Sequence, residues 1–432
     1  MSLKHFYRRT KLHIIQGDFI KTLMLRIKFE LSKIYRPLLS KIGNTCFIAV
    51  TGSCGKTTVT DITAAILSKK GRVRKSNQIN RPQDFGETIM GVMPWHRFCV
   101  NEASAHEKGV MEKATKLYRP KIGVVTHIGR DHYSTFRNLE ATAAEKGKLV
   151  ESLPADGTAV LNADDPHVYA MQERTKAKAI TYGLSDNAMV RGENISCNWP
   201  VPMSLDVDYE GKKIHIQTQL LGTHWAYSVL AGLATGIAAD VPLELAAEAV
   251  EAFEPVPGRM SPHVSPDGVI FIRDDWKAPM WTVPASIDFL RTAKAKRKIA
   301  VIGTISDTPK SFSQRYRLVA QQAYDIVDKI IFTGQHADSA LKTRAYREDE
   351  KIIAFDTLYQ ANLFLSSYLK EGDLVLIKGS APADHLQRIV LSKTNDIACW
   401  RQGCKRNYFC TDCKLQHNAY VPISKKSSKH EM

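Results

Sequence analysis

The sequence predicts an α/β protein of two parallel-sheet domains, the second smaller and Rossmann-like. A basic helix precedes them and a cysteine-rich segment follows. Three observations predict this. From residue 46 onward, short apolar runs alternate with helical patterns, the rhythm of a parallel sheet covered on both faces. A stiff, turn-rich run, Glu254-Pro-Val-Pro-Gly-Arg259, divides that series in two. One strand runs directly into a glycine-rich loop that opens a helix, Thr51-Gly-Ser-Cys-Gly-Lys-Thr-Thr58. The expected segments are 1–44 (basic helical), 45–255 (P-loop domain), 256–395 (second α/β domain) and 396–432 (Cys-rich segment and tail).

Each element has its own warrant. Residues 14–36 read as a helix, because Ile20, Met24, Ile27, Leu31 and Ile34 step by four and three, with Pro37 as the stop. That helix either docks on its own body or lies on a membrane surface or partner. Strands are expected at 46–51, 98–102, 121–126 and 158–162, and helices at 57–69, 106–118 and 137–153. Residues 186–221 alternate irregularly and read as antiparallel strands, followed by helices at 223–239 and 242–252. The second series places strands near 269–273, 298–303, 328–333, 351–355 and 373–378, and helices at 313–327 and 357–370.

Composition and charge bound the function. Apolar residues are 44% and charged residues 24% of the 432, ordinary for a core-forming protein, which excludes disorder, collagen and a small disulfide scaffold. The net charge of +16 sits at the ends: +8 in residues 1–44, from ten Lys/Arg against Asp18 and Glu30, and +5 in residues 399–432. The basicity therefore concerns partners of the ends, an anionic membrane surface or a protein for 1–44; nucleic acid is not expected. No run approaches the ~18 uncharged apolar residues of a spanning helix. With scattered single cysteines and no signal peptide, the chain reads as cytoplasmic, at most peripheral to the membrane's inner face.

In the loop, Gly52 and Gly55 let backbone N–H groups turn toward a phosphate, joined by Ser53, Cys54 and Thr58, and the helix start adds its positive end. Lys56 would reach the β- and γ-phosphates of ATP, and the Thr57 hydroxyl would hold Mg²⁺. The strict motif wants glycine where Val50 stands, so this is the shorter T-G-x-x-G-K-T form.

That shorter loop resembles the muramyl (Mur) ligases, which join a carboxylate to an amine through an acyl phosphate. The resemblance spans about 45–395, with motifs in the family's order. Ser76-Asn-Gln-Ile-Asn80 with Gly86 is similar to the Asn-rich loop after the first helix. Glu102-Ala-Ser resembles the metal-binding glutamate, and Thr126-His-Ile-Gly-Arg-Asp-His132 the strand end whose His132 binds a second metal. Ala143-Ala-Glu-Lys146 resembles the site of a carbamylated lysine. Leu161-Asn-Ala-Asp-Asp165, with Asn162, and Pro255-Val-Pro-Gly-Arg259 are nearest the branch that adds D-Ala-D-Ala. Asp274-Asp-Trp-Lys-Ala278, with Asp275 and Lys277, and Leu376-Ile-Lys-Gly-Ser380 complete the series.

The resemblance implies Lys56, Lys146, Arg259 and Lys277 in catalysis. It implies ATP contacts at the loop, Asn162 and Asp275, and Mg²⁺ at Thr57, Glu102, His132 and Lys146. Its substrates would be a carboxylate and an amine or amino acid, in cell-envelope, capsule or poly-amino-acid biosynthesis. Glu is the hard oxygen ligand Mg²⁺ takes, and both Glu102 and His132 follow expected parallel strands, where open α/β sheets bind ligands. Departures are visible too. Trp225 and Ser228 stand where the family has asparagines near adenine, so Trp225 is expected to stack on the base. The domain that binds the UDP-sugar has no counterpart, and residues 1–44 stand in its place, as in related poly-amino-acid synthetases. The competing reading is a catalytically reduced scaffold that uses its basic ends on nucleic acid or anionic membrane.

Cys399, Cys404, Cys410 and Cys413 crowd into fifteen residues, with a final C-x-x-C. A structural zinc is the first reading, unliganded thiols the second, and an iron–sulfur or redox role the third.

Overall fold

The computed structural model describes residues 23–39, 41–77, 82–105, 107–129, 136, 138–344, 349–394, 397–406 and 408–420. They form two compact units. The first comprises the described residues up to Asn194, with Leu205–Ile216 and Ala226–Phe253. The second comprises Ile195–Ser204, Gln217–Trp225 and the described residues from Glu254 on.

The large sheet has nine strands: β1 (Cys46–Thr51), β2 (Val73–Ser76), β3 (Phe98–Glu102), β4 (Ile122–Val125), β5 (Thr158–Asn162), β6 (Lys178–Gly183), β7 (Val190–Asn198), β8 (Val201–Tyr209) and β9 (Lys212–Gln217). Their order is β2-β3-β1-β4-β5-β6-β7-β8-β9. Every pairing from β2 to β7 is parallel. Central strands buried on both faces read as unbroken apolar runs, and β1 is one: Phe47, Ile48, Ala49 and Val50 are all buried. With β3 on one side of β1 and β4 on the other, the chain reverses direction around β1. Such a switch point leaves a crevice at the carboxyl ends of the strands.

The smaller sheet runs β10 (Ser261–Val264), β11 (Ile270–Asp274), β15 (Asp373–Lys378), β12 (Arg297–Ile302), β13 (Lys329–Thr333), β14 (Ile352–Phe355). It is parallel except for β10, which lies antiparallel on β11. Phe271, Ile299, Val301, Ile331, Val375 and Ile377 pack with Leu358, Ala361 and Leu365 of the helix Leu358–Tyr368. The last strand in sequence fills the slot between β11 and β12. Its register sets Lys378 opposite both Asp274 and Ile302.

Several expectations need correction. β2 (VRKS) and β6 (KAITYG) were not expected as strands; β2 is an edge strand with no apolar run to betray it. The helix Val283–Thr292 was missed because Pro284 reads as a breaker, yet proline is tolerated in a first turn. At the other end, the helix over 23–39 passes through Pro37 instead of stopping there. Its last turn is held from outside. Arg36 stacks on the Phe47 ring at 3.7 Å and donates to the Tyr118 and Arg119 carbonyls, and Tyr35 donates to Val92 O at 2.7 Å. Residues 14–22 of that expected helix lie outside the described residues.

Candidate active site

The glycine-rich loop lies in the β1 crevice. Gly55 takes φ +76°, a left-handed conformation that glycine adopts without strain, and the helix Lys56–Ser68 starts from it with no side chain capping its first turn. Those first N–H groups and the helix's positive end form an anion site. Gly52 (φ +145°) lies so close to β4's end that an added Cβ would fall on Thr126 Oγ1. The loop is tied to that end by Ser53 N–H to His127 O (2.7 Å), Gly129 N–H to Ser53 Oγ (2.8 Å) and Thr126 Oγ1 to Cys54 O (2.6 Å).

Four of the expected site residues meet here. Lys56 Nζ donates to Gly52 O at 2.8 Å, folded back over its own loop. Lys146, fully buried at the middle of the helix Leu139–Glu151, donates to the same carbonyl at 3.0 Å. Thr57 Oγ1 donates at 2.8 Å to Oε2 of Glu102, a buried carboxylate at the end of β3. A hydroxyl and a carboxylate beside a phosphate loop are the hard oxygen donors Mg²⁺ takes, so these residues fit that ion. His132, with Gln78, Ile79 and Asn80, lies outside the described residues.

Asn162 serves the site from behind, its amide donating to Thr126 O at 2.9 Å. Asp165 was not singled out, yet it organises this wall. Its carboxylate meets His127 Nδ1 at 2.6 Å, accepts from Ile128 N–H at 2.7 Å and caps the helix Pro166–Tyr169. Burial alone would raise its pKa; the His127 and backbone partners outweigh that and hold it below the usual carboxylate range. The signal was present in Leu161-Asn-Ala-Asp-Asp165, where an Asp directly before Pro166 is an N-cap pattern.

The second unit has a polar cluster of its own at the carboxyl ends of β11 and β15. Lys378 Nζ pairs with Asp274 Oδ2 at 2.5 Å, and Ser286 Oγ donates to the same oxygen at 2.6 Å. Burial would raise the Asp274 carboxyl, but the Lys378 ammonium, Ser286 and the nearby Arg259 charge hold it low. Asp275 behaves oppositely: burial pushes its carboxyl up although the Arg273 guanidinium is 3.2 Å away. Asp384, also pushed up by burial, accepts from Thr304 N–H, Thr304 Oγ1 and Ser380 N–H. Lys378 is the lysine of the Leu376-Ile-Lys-Gly-Ser380 motif, whereas Asp384 has no sequence signal that singled it out. Trp225 is buried, its ring 4.7 Å from His224 and its indole N–H unpartnered.

All four clustered cysteines are free thiols lining one small cavity, with His385, Arg388 and Arg406. His385 is buried with neither ring nitrogen hydrogen-bonded, and burial beside Arg388 pulls its pKa to about 4. Burial pushes the Cys410 thiol up to about 11. Among the described residues, no group of three or more His, Cys, Asp or Glu side chains stands where it could hold a metal ion. The expected ready-made zinc shell is therefore not met.

Residues 50–236 match the Mur ligase middle domain, and residues 258–381 match the Mur ligase, glutamate ligase domain. The chain belongs to the Mur ligase family. It is 26% identical over 374 residues to the UDP-N-acetylmuramoyl-tripeptide–D-alanyl-D-alanine ligase of Mycobacterium leprae, covering 78% of this chain and 71% of that one. It is 28% identical over 354 residues to the UDP-N-acetylmuramate–L-alanine ligase of Nitrosomonas eutropha, covering 77% and 73%. The same fold occurs in a solved UDP-N-acetylmuramoylalanyl-D-glutamyl-2,6-diaminopimelate–D-alanyl-D-alanyl ligase from Acinetobacter baumannii (TM-score 0.77, 20% identity, 86% of this chain and 80% of that one). It occurs also in MurF ligase from Thermotoga maritima in complex with ADP (TM-score 0.72, 17% identity, 85% and 82%). As a Mur ligase this protein is an ATP-dependent amide-forming enzyme, with Mg²⁺ as the family's ion.

Proposed function

We propose that this ligase activates a carboxylate of a cell-envelope building block and couples it to an amino acid or dipeptide such as D-alanyl-D-alanine. The observation that carries this reading is the β1 crevice, where an uncapped helix start, two lysines and the Thr57–Glu102 pair converge on one loop. Backbone N–H groups from Gly52 to Thr58 would cradle the phosphates, and Lys56 would leave Gly52 O for the β- and γ-oxygens. Thr57 and Glu102 would hold Mg²⁺, which supplies charge neutralisation across those phosphates. The substrate carboxylate attacks the γ-phosphorus, ADP departs, and the amine then displaces phosphate to give the amide. The transition state for phosphoryl transfer is loose, so positioned charge carries the catalysis.

Further assignments are part of the proposal. Lys146, fixed against Gly52, would gain a negative charge if its neutral amine added to CO₂ with loss of a proton. Arg259, Lys277 and Asp275 would serve the nucleotide from the second domain. The four cysteines that share one cavity, with an orphaned His385 in its wall, support a structural zinc that draws the thiolates together as it binds. About one zinc per chain, lost in Cys410→Ser with Cys413→Ser, supports that; metal-free protein with four titrating thiols ends it.

The test of function is phosphate release from ATP with UDP-N-acetylmuramoyl-tripeptide and D-alanyl-D-alanine, or UDP-N-acetylmuramate and L-alanine. Release that needs both acceptors and equals amide formed supports the reading. Release indifferent to every carboxylate and amine offered would overturn it.

A further inference from the structure

The helix over 23–39 has two apolar faces, and only one is used. Phe29, Ser32, Arg36 and Leu39 turn toward the body. Phe29 and Leu39 pack with Phe85, Ile89 and Val92, and Gly86 comes so close to Phe29 that a Cβ there would lie 2.7 Å from its Cα. The other face carries Met24, Ile27, Leu31, Ile34 and Leu38, again spaced by three and four. All are exposed, Ile34 at 67%, and Ile42 beyond the helix at 69%. The neighbouring turn, which receives the Tyr35 hydroxyl at Val92 O and abuts Gly43 at Pro94, adds exposed Met93 and Trp95. Single exposed apolar residues are common on soluble proteins; a row this long on one helix face is not.

We propose that this face is a membrane-surface anchor that inserts into the headgroup region of an anionic bilayer. Charge identifies the occupant. Arg26 on the helix and Lys41 just beyond it are exposed, Lys33 is exposed but paired with Glu30 at 2.7 Å, and Lys4, Arg8, Arg9, Lys11 and Lys21 precede the helix in sequence, so residues 1–44 carry +8. Apolar insertion and a polybasic segment are the two signals that together hold a protein reversibly on anionic lipid. A protein partner would need an acidic groove shaped to a single stripe. A bilayer needs only the stripe and the charge. No described helix is long and apolar enough to cross a membrane, so the helix lies on the surface instead of spanning it. Seventeen residues give a contact line about 25 Å long. This anchoring stands independently of the catalytic reading, because none of these side chains belongs to the β1 crevice.

The experiment uses the full chain, sedimented with vesicles of phosphatidylcholine alone or mixed equally with phosphatidylglycerol. Wild type should pellet with the anionic vesicles, release as salt rises, and stay in solution with phosphatidylcholine. Leu31→Glu with Ile34→Glu should weaken binding by on the order of 100-fold, since two buried aliphatic side chains supply that much partition free energy. Its thermal midpoint and ATP turnover should stay unchanged. Should that variant unfold, the milder Met24→Ser with Ile34→Ser reads the same face. Wild type that ignores both vesicle types, binds both equally, or binds unchanged after either substitution overturns the proposal. Self-association of wild type, abolished by the same substitutions and without vesicle binding, would make the face a protein interface and overturn it equally.

Discussion

Gly52 is where backbone, side chain and chemistry constrain one another most tightly, and Gly52→Ala tests the loop's construction. At φ +145° an L-residue is strained by about 1–2 kcal/mol. The new methyl would also fall on Thr126 Oγ1 and stand 3.1 Å from His127 N. Relief requires the loop or β4's end to move, against the Thr126–Cys54 and Ser53–His127 hydrogen bonds at 2.6 and 2.7 Å. Overpacking of this kind costs about 1–3 kcal/mol. Together the substitution should cost about 2–5 kcal/mol. If the loop relaxes away from its phosphate-binding form, kcat/KM should fall by roughly 10²–10³. Adding Thr126→Ala removes the hydroxyl and leaves its Cβ at 3.1 Å, so the double variant should recover about 1–2 kcal/mol through coupling. The assay is ATP-dependent phosphate release together with thermal unfolding of the four proteins of the cycle. Full activity in Gly52→Ala, or strict additivity with Thr126→Ala, would refute this account.

Lys378→Met strands the buried Asp274 carboxylate and should destabilise the protein by about 3–5 kcal/mol in denaturant titrations, with most of that recovered by adding Asp274→Asn. Lys56→Ala should leave unfolding unchanged and slow phosphoryl transfer on the order of 10³-fold, measured by single-turnover ADP formation. Asp165→Asn should cost about 1–2 kcal/mol at neutral pH. Because the Asp165 pKa is depressed in the fold, that stability is present above its unfolded value and lost as pH falls through the folded one. The wild-type and variant unfolding curves should therefore converge in acid.

What the sequence shows and what it hides follow from one physical distinction. β1, β3 and β5 are runs buried on both faces, so their apolar composition marks them, and the observed bounds coincide with those expected. The loop is legible because Gly52, Gly55, Lys56 and Thr57 are contiguous and each has a local reason to be there. Edge strands such as β2 follow from pairing alone, which no local window contains. The same holds for Lys378 and Asp274, which stand 104 residues apart and meet only because β15 inserts beside β11. Asp165 and Asp384 take their near donors locally, but the Ile128 and Thr304 N–H groups that complete their shells come from 37 and 80 residues away. Exposure is hidden as well. The spacing of Met24, Ile27, Leu31 and Ile34 is the pattern of a helix face turned inward, and only packing shows that Phe29 and Leu39 take the inward side.

Two lysines on one carbonyl need not do one job. Lys56 is partly exposed at the first helical position, and its bond to Gly52 O reaches back only four residues; one such net hydrogen bond is worth about 1 kcal/mol. A phosphate oxygen offers a charge-assisted bond of roughly twice that strength, so nucleotide binding is enough to move it. Lys146 comes from a different helix, 94 residues from its acceptor, and is 1% exposed. Withdrawing so buried a side chain would disturb the packing beneath the loop, which is costlier. Lys56 is thus built to exchange partners during turnover, and Lys146 to hold its place beneath the loop. Even if both touch the same phosphates, replacing Lys56 should alter rate with little effect on folding, whereas replacing Lys146 should disturb both.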